Sequence, residues 1–191
     1  DRGDGRAIQI LRGRLGWIHR ADWENYAPLL QLARDNQLPV FGADLAQGIR
    51  VRLGRQGLAN LYEVERARLP ESSLDSPAYK ALMTKLLSSA HCNHASPDLL
   101  ERLYDTFLIR NETMANAILE MRMDLQLDQP VVMVLGRGHT EFDMGVVERV
   151  AHYAPSISQL NIGLVEGVSA HKLDFVPHHG PRMNGVQFDP T

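Results

Sequence analysis

At 191 residues, 44% hydrophobic and 23% charged, the chain has the composition of a folded domain with a sizeable core, not of a disordered segment. A formal net charge of −3 supplies no broad basic surface for nucleic acid, and no apolar run is long enough to span a bilayer. Cys92 is the single cysteine, which excludes an internal disulfide, and all but Lys80, Lys85 and Lys172 of the 20 basic residues are arginines, read here as solvated. The opening Asp1-Arg2-Gly3-Asp4-Gly5 reads as a cut end.

In chain order, Trp23, Tyr26, Ala27, Leu30 and Ala33 recur at helical spacing after Asp22, a cap candidate. Pro39 to Ala43 reads as a short buried strand. Leu45 to Arg55 follows as a helix stopped at Gly57. The Pro/Ser-rich stretch from Pro70 to Pro77 is a boundary. Ser76-Pro77 and Ser96-Pro97 each place a capping serine before a proline at the first helical position. Behind them run two apolar stripes, Tyr79 to Ala90 and Leu100 to Leu125, which predict a helical hairpin over about 76–125. The continuous run Pro130 to Leu135 has the look of a strand buried on both faces. A helix from about Asp143 to Ala154 comes next, then a strand through Leu160, Ile162 and Leu164, and a short one at Asp174 to Val176. Strand, helix and strand joined by a short crossover imply parallel pairing. The expected fold is one α/β domain over 1–191: a partly parallel sheet flanked by helices, with the hairpin inserted and an irregular tail from 168 to 191.

Two segments carry polar residues where chemistry is expected. Gly136-Arg137-Gly138-His139-Thr140-Glu141 lies where a strand ends and a helix begins, the edge at which ligands gather in open α/β sheets. A dinucleotide fingerprint would need glycine at 141, so that reading fails. A plain turn with an exposed histidine and a ligand site stand as equal readings here. On the second predicted hairpin helix, Asn111 falls on the apolar stripe, four residues after Phe107 and seven before Ile118, with Arg110 on its flank. Burying either without partners costs several kcal/mol, so both must meet polar groups or a ligand. The loop at His139 is one partner compatible with this. His91-Cys92-Asn93-His94 precedes a helix cap and reads as a surface loop; His178-His179 lies in the Pro/Gly-rich tail and reads as solvated. Tyr26, Tyr79 and Tyr104 sit on apolar stripes as core residues, leaving Tyr62 and Tyr153 freer.

Arg110-Asn111-Glu112-Thr113-Met114-Ala115, followed by Val131-Val132-Met133-Val134-Leu135-Gly136-Arg137-Gly138-His139 and a short helix, resembles the ChaN family of haem-binding lipoproteins. Leu15-Gly16-Trp17, Trp23-Glu24-Asn25-Tyr26, Leu38-Pro39-Val40 and Arg50 to Leu58 fit the family's middle portion. The match thins between 65 and 100 and fades after about 168. The resemblance implies a non-catalytic protein of the bacterial cell envelope, on the periplasmic side as an outer-membrane lipoprotein, serving haem and iron uptake. Its cofactor would be ferric haem. Its partner would be a second copy joined on haem binding, and its membrane contact a lipid anchor outside this chain. A tyrosine would ligate each iron while a histidine and a lysine of the other subunit hold propionates, although no tyrosine here aligns to that ligand. The site residues placed on the haem are His139, Arg110, Asn111 and Arg137. The family's opening glycine–glutamate–x–histidine strand has no match, so the chain is read as a member without its first segment; Val147 stands where the family usually has proline.

The same motifs resemble the wider superfamily of TraB, TIKI and erythromycin-esterase proteins, some of them hydrolases. A metal-dependent hydrolase is therefore the alternative, with His139 as metal ligand or base. A third reading is a structural envelope domain whose ligand site has decayed.

Overall fold

The computed structural model describes residues 9–10, 12–14, 23–70, 74, 77–124, 130–140 and 143–163. Residues 1–42 and 43–191 form two compact units. In the first, helix α1 (Trp23–Asp35) carries Glu24 in its first turn and Arg34 in its last, both complementing the helix dipole. Pro28 lies inside this helix and removes one ladder donor. Trp23 is buried under the Arg12 guanidinium, 5.4 Å from the ring centroid.

The second unit is built around one long helix. Helix α2 (Gln47–Gln56) ends at Gly57, whose φ of 81° lets its N–H return to the Leu53 carbonyl. A 3₁₀ turn (Leu58–Asn60) and the short helix α3 (Glu63–Arg66) follow. Helix α4 (Pro77–Ala90) and helix α5 (Pro97–Asp124) form the expected hairpin, both opening on proline at the first turn. Ser96 Oγ accepts from the Leu99 N–H at 3.3 Å, the cap read from the sequence. With 28 residues, α5 is about 42 Å long. After a 3₁₀ turn (Arg137–His139), helix α6 (Val146–Tyr153) completes the described elements.

Three clusters are buried along α5. Tyr104 and Leu108, one turn apart, meet Tyr79 and Met83 of α4. Ile109 meets Leu53 of α2 and Leu61. Met114 and Ala115 meet Val146 and Val150 of α6. With neighbours packed along its length, α5 also buries polar residues at 106, 111 and 112.

The α/β expectation does not hold: the described residues contain helices and extended chain, with no strand and no sheet. Residues 130–135 run extended, but they are not buried on both faces. Met133 and Leu135 pack on the α5–α6 cluster, while Val132 and Val134 are 84% and 57% exposed. Val40 and Phe41, in the predicted strand at Pro39 to Ala43, are also exposed, as are Leu160 and Ile162. No hydrogen-bonded ladder joins any of these segments to a neighbour among the described residues. Leu164, Asp174 to Val176, His178-His179 and the tail lie outside the described residues.

Candidate functional site

The turn that carries His139 is closed by two short backbone bonds, His139 N–H to the Gly136 carbonyl and Thr140 N–H to the Arg137 carbonyl, each at 3.0 Å. It folds His139 back against α5, so the side chain is 6% exposed rather than projecting into solvent. Phe107 of α5 stacks on the imidazole, with ring centroids 4.3 Å apart and planes 4° from parallel. One helical turn on, Asn111 Oδ1 lies 2.6 Å from His139 Nδ1. The Asn111 amino group donates to the Tyr79 hydroxyl at 3.0 Å. Asn111 therefore presents its oxygen to the imidazole, and Nδ1 must carry the proton. The lone pair resides on Nε2.

Nε2 makes no hydrogen bond among the described residues. Burial holds the imidazole pKa down, to about 4, with Arg110 and Arg50 adding to the effect and Asp44 opposing it. Near neutral pH the ring is uncharged and Nε2 is a free donor of electrons.

The loop returns to α6 through Gly145, at φ 70°. A Cβ there would overlap the His139 carbonyl oxygen and stand 3.2 Å from Asn111 Nδ2. Only glycine permits so close an approach with that backbone. Gly138 is different, since a Cβ would merely touch the Phe107 ring at 3.8 Å.

Beneath the histidine lies a sealed ionic layer. Arg149 and Glu112 both have fully buried side chains, and Arg149 Nε donates to Glu112 Oε1 at 2.6 Å. The other carboxylate oxygen accepts from the Tyr153 hydroxyl at 2.9 Å, and Arg149 Nη1 donates to the Gly145 carbonyl at 3.0 Å. The Arg149 guanidinium also stands 5.7 Å from the Tyr79 ring centroid. Tyr79 is thus held from two sides, and burial raises its hydroxyl pKa to about 12.

Arg110 takes a different partner from its neighbour Asn111. Its Nε and Nη2 donate to the two oxygens of Asp44, at 2.9 and 2.8 Å, in the forked geometry that arginine favours. Arg50 adds a third bond to Asp44 at 3.1 Å. Burial pushes the Asp44 carboxyl upward, but the Arg110 hydrogen bonds and charge outweigh it, and the pKa ends below the ordinary value.

Of the four expected site residues, His139 and Asn111 are therefore in direct contact, Arg110 is committed to Asp44 close enough to act electrostatically on His139, and Arg137 lies exposed on the turn. Phe107, Tyr79, Glu112, Arg149, Asp44 and Gly145 complete the frame and were not read as site residues. Arg149 was signalled by its position, three residues after Val146 and four before Tyr153 on the buried stripe of α6. The His91–His94 loop is exposed, with Cys92 and Asn93 at φ 54° and 58°. No group of three or more His, Cys, Asp or Glu side chains among the described residues is placed to hold a metal ion. No described helix is long and apolar enough to cross a membrane.

Neither the curated proteins nor the solved structures include a match to this chain. A family model described as haem-binding uptake, Tiki superfamily, ChaN, matches residues 8–150. That span holds every residue of the His139 frame but Tyr153, and covers well over half of the chain. The chain belongs to the ChaN-type haem-binding uptake family of the Tiki superfamily.

Proposed function

We propose that this protein binds ferric haem for bacterial iron uptake, without catalysis, on the periplasmic side of the cell envelope as an outer-membrane lipoprotein. A lipid anchor outside this chain would hold it to the membrane. The observation that supports this best is a neutral imidazole, locked in one tautomer, whose Nε2 makes no hydrogen bond among the described residues. A ring so fixed fits an iron porphyrin, which needs one directed donor and apolar surface around it. Exposed apolar side chains adjoin the turn. Leu160 and Ile162 flank Asn161, whose amide docks on the Thr140 carbonyl and the Asp143 carboxylate, both at 2.9 Å. Arg137, exposed on the turn, would take a propionate. Arg110 and Asn111 serve by holding the loop and the ring. When bound, haem supplies the iron and the planar apolar surface, and the chain supplies the donor, its orientation and exclusion of water.

Haem shared between two copies would favour the dimer by mass action. Titration of haemin into the protein, followed at the Soret band, should give a saturable change. Sedimentation should show monomer converting to dimer as haem saturates. Absence of saturable binding would refute haem uptake, and peptide or ester hydrolysis on adding manganese or cobalt would establish the superfamily's hydrolase chemistry instead.

A further inference from the structure

We infer that the outer side of residues 50–68 is a docking surface for an anionic lipid membrane. The sequence concentrates positive charge there. Arg50, Arg52, Arg55, Arg66 and Arg68 are set against only Glu63 and Glu65, a net of +3 in a chain whose total is −3, which leaves −6 for everything outside the stretch. Folding turns that charge outward. Ile49 and Leu53 of α2, Leu61 and Leu69 all pack on the cluster around Ile109 of α5. Helix α2, the 3₁₀ turn and α3 therefore close over one patch of α5, and their other side faces solvent. Arg50 and Arg52 are spent on Asp44 and Glu65. Arg55, Arg66 and Arg68 are exposed, and their guanidinium groups make no hydrogen bond or ion pair among the described residues.

Interleaved with these arginines in the sequence, Val51, Leu58, Tyr62 and Val64 are exposed, Tyr62 and Val64 by 67% and 59%. The Arg52 guanidinium lies 5.6 Å from the Tyr62 ring centroid, which brings the outward side of α2 to the segment that opens α3. Cations without a protein partner beside aliphatic and aromatic side chains match a lipid headgroup layer, which offers phosphates to the first and an acyl boundary to the second. Tyrosine suits that boundary, with an apolar ring and a polar tip. Nucleic acid would meet the cations but leave Leu58, Tyr62 and Val64 without an apolar surface to enter. The inference rests on neither haem binding nor the lipid anchor, since it concerns a face of this chain alone.

The test is co-sedimentation of the whole chain with vesicles of phosphatidylcholine alone and of phosphatidylcholine mixed with phosphatidylglycerol. The chain should bind the mixed vesicles in preference to the neutral ones. Binding should weaken as salt shortens the screening length from about 30 Å to about 8 Å. Arg66→Gln should weaken it about fivefold, and Arg55→Gln, Arg66→Gln and Arg68→Gln together about a hundredfold, with the unfolding midpoint unchanged. Val64→Ser should weaken it as well, through the lost apolar contact. Arg122→Gln makes the same charge change in the last turn of α5, outside the stretch, and should bind as the wild type does. No binding to the mixed vesicles, equal binding to both kinds, equal losses in Arg66→Gln and Arg122→Gln, or indifference to both the triple change and Val64→Ser would each overturn the inference. Haemin titration of the same variants reads haem binding separately, so neither result decides the other.

Discussion

Replacing Asn111 with leucine keeps the number of side-chain heavy atoms and removes both of its hydrogen-bonding ends. In the native protein one end accepts from His139 Nδ1 at 2.6 Å and the other donates to Tyr79 at 3.0 Å, and the residue itself is fully buried. Each buried group left without a partner costs about 1–3 kcal/mol, so the two broken bonds cost roughly 2–6 kcal/mol. Leucine regains part of this, about 1–2 kcal/mol, through its greater apolar transfer energy. The expected loss is therefore about 3 kcal/mol. For a chain of this size that corresponds to a drop of roughly 6–12 °C in Tm. Urea or thermal unfolding measures it, with Asn111→Asp as a control that keeps the acceptor. The variant should also bind haem more weakly, because the imidazole loses the oxygen that holds its proton on Nδ1. A leucine variant within about 0.5 kcal/mol of wild type would show that the amide is not what holds the loop to α5.

Gly145→Ala should cost more than about 2 kcal/mol, from a positive φ and overlap with the His139 carbonyl, whereas Gly136→Ala, with nothing within 4 Å, should be nearly neutral in the same denaturation assay. Glu112→Gln breaks a fully buried ion pair and should destabilise by about 3–5 kcal/mol, while Glu112→Leu combined with Arg149→Leu should cost less than the sum of the single changes; a double-mutant cycle without coupling would contradict this. The folded-state pKa of His139, about 4, is below its ordinary 6.5, so the unfolded chain takes up the proton first and stability falls as pH drops through that window. The loss approaches about 3 kcal/mol near pH 4, is absent above pH 6.5, and should appear in the stability difference between wild type and His139→Gln, since glutamine does not titrate; a pH-independent difference would refute it. His139→Ala should weaken haem binding by a larger factor than it lowers stability, as compared by Soret titration and chemical unfolding.

How much of this was legible beforehand follows from the range of the forces involved. The hairpin was readable because its signals are local: prolines at the first turn of α4 and α5, a capping serine at 96, and apolar residues three and four apart. The halt of α2 at Gly57 was readable for the same reason, since only a residue tolerant of positive φ closes the helix there. That Asn111 and Arg110 required partners also followed from the stripe of α5, because burial is costly wherever the partner comes from. Which partner each took did not follow. Asn111 meets a turn 28 residues away and Arg110 an aspartate 66 residues away, and neighbouring residues on one helix look in different directions. The same limit applies to Pro130 to Leu135. A continuous apolar run states that a segment suits extended chain, but a sheet exists only where another backbone lies alongside it. The packing of α5 against α6 partly buries Met133 and Leu135 and leaves Val132 exposed. The sealed Glu112–Arg149 pair was hidden for a related reason. Each residue alone resembles an ordinary helical surface charge, and only the crossing of α5 and α6 removes both from water at once.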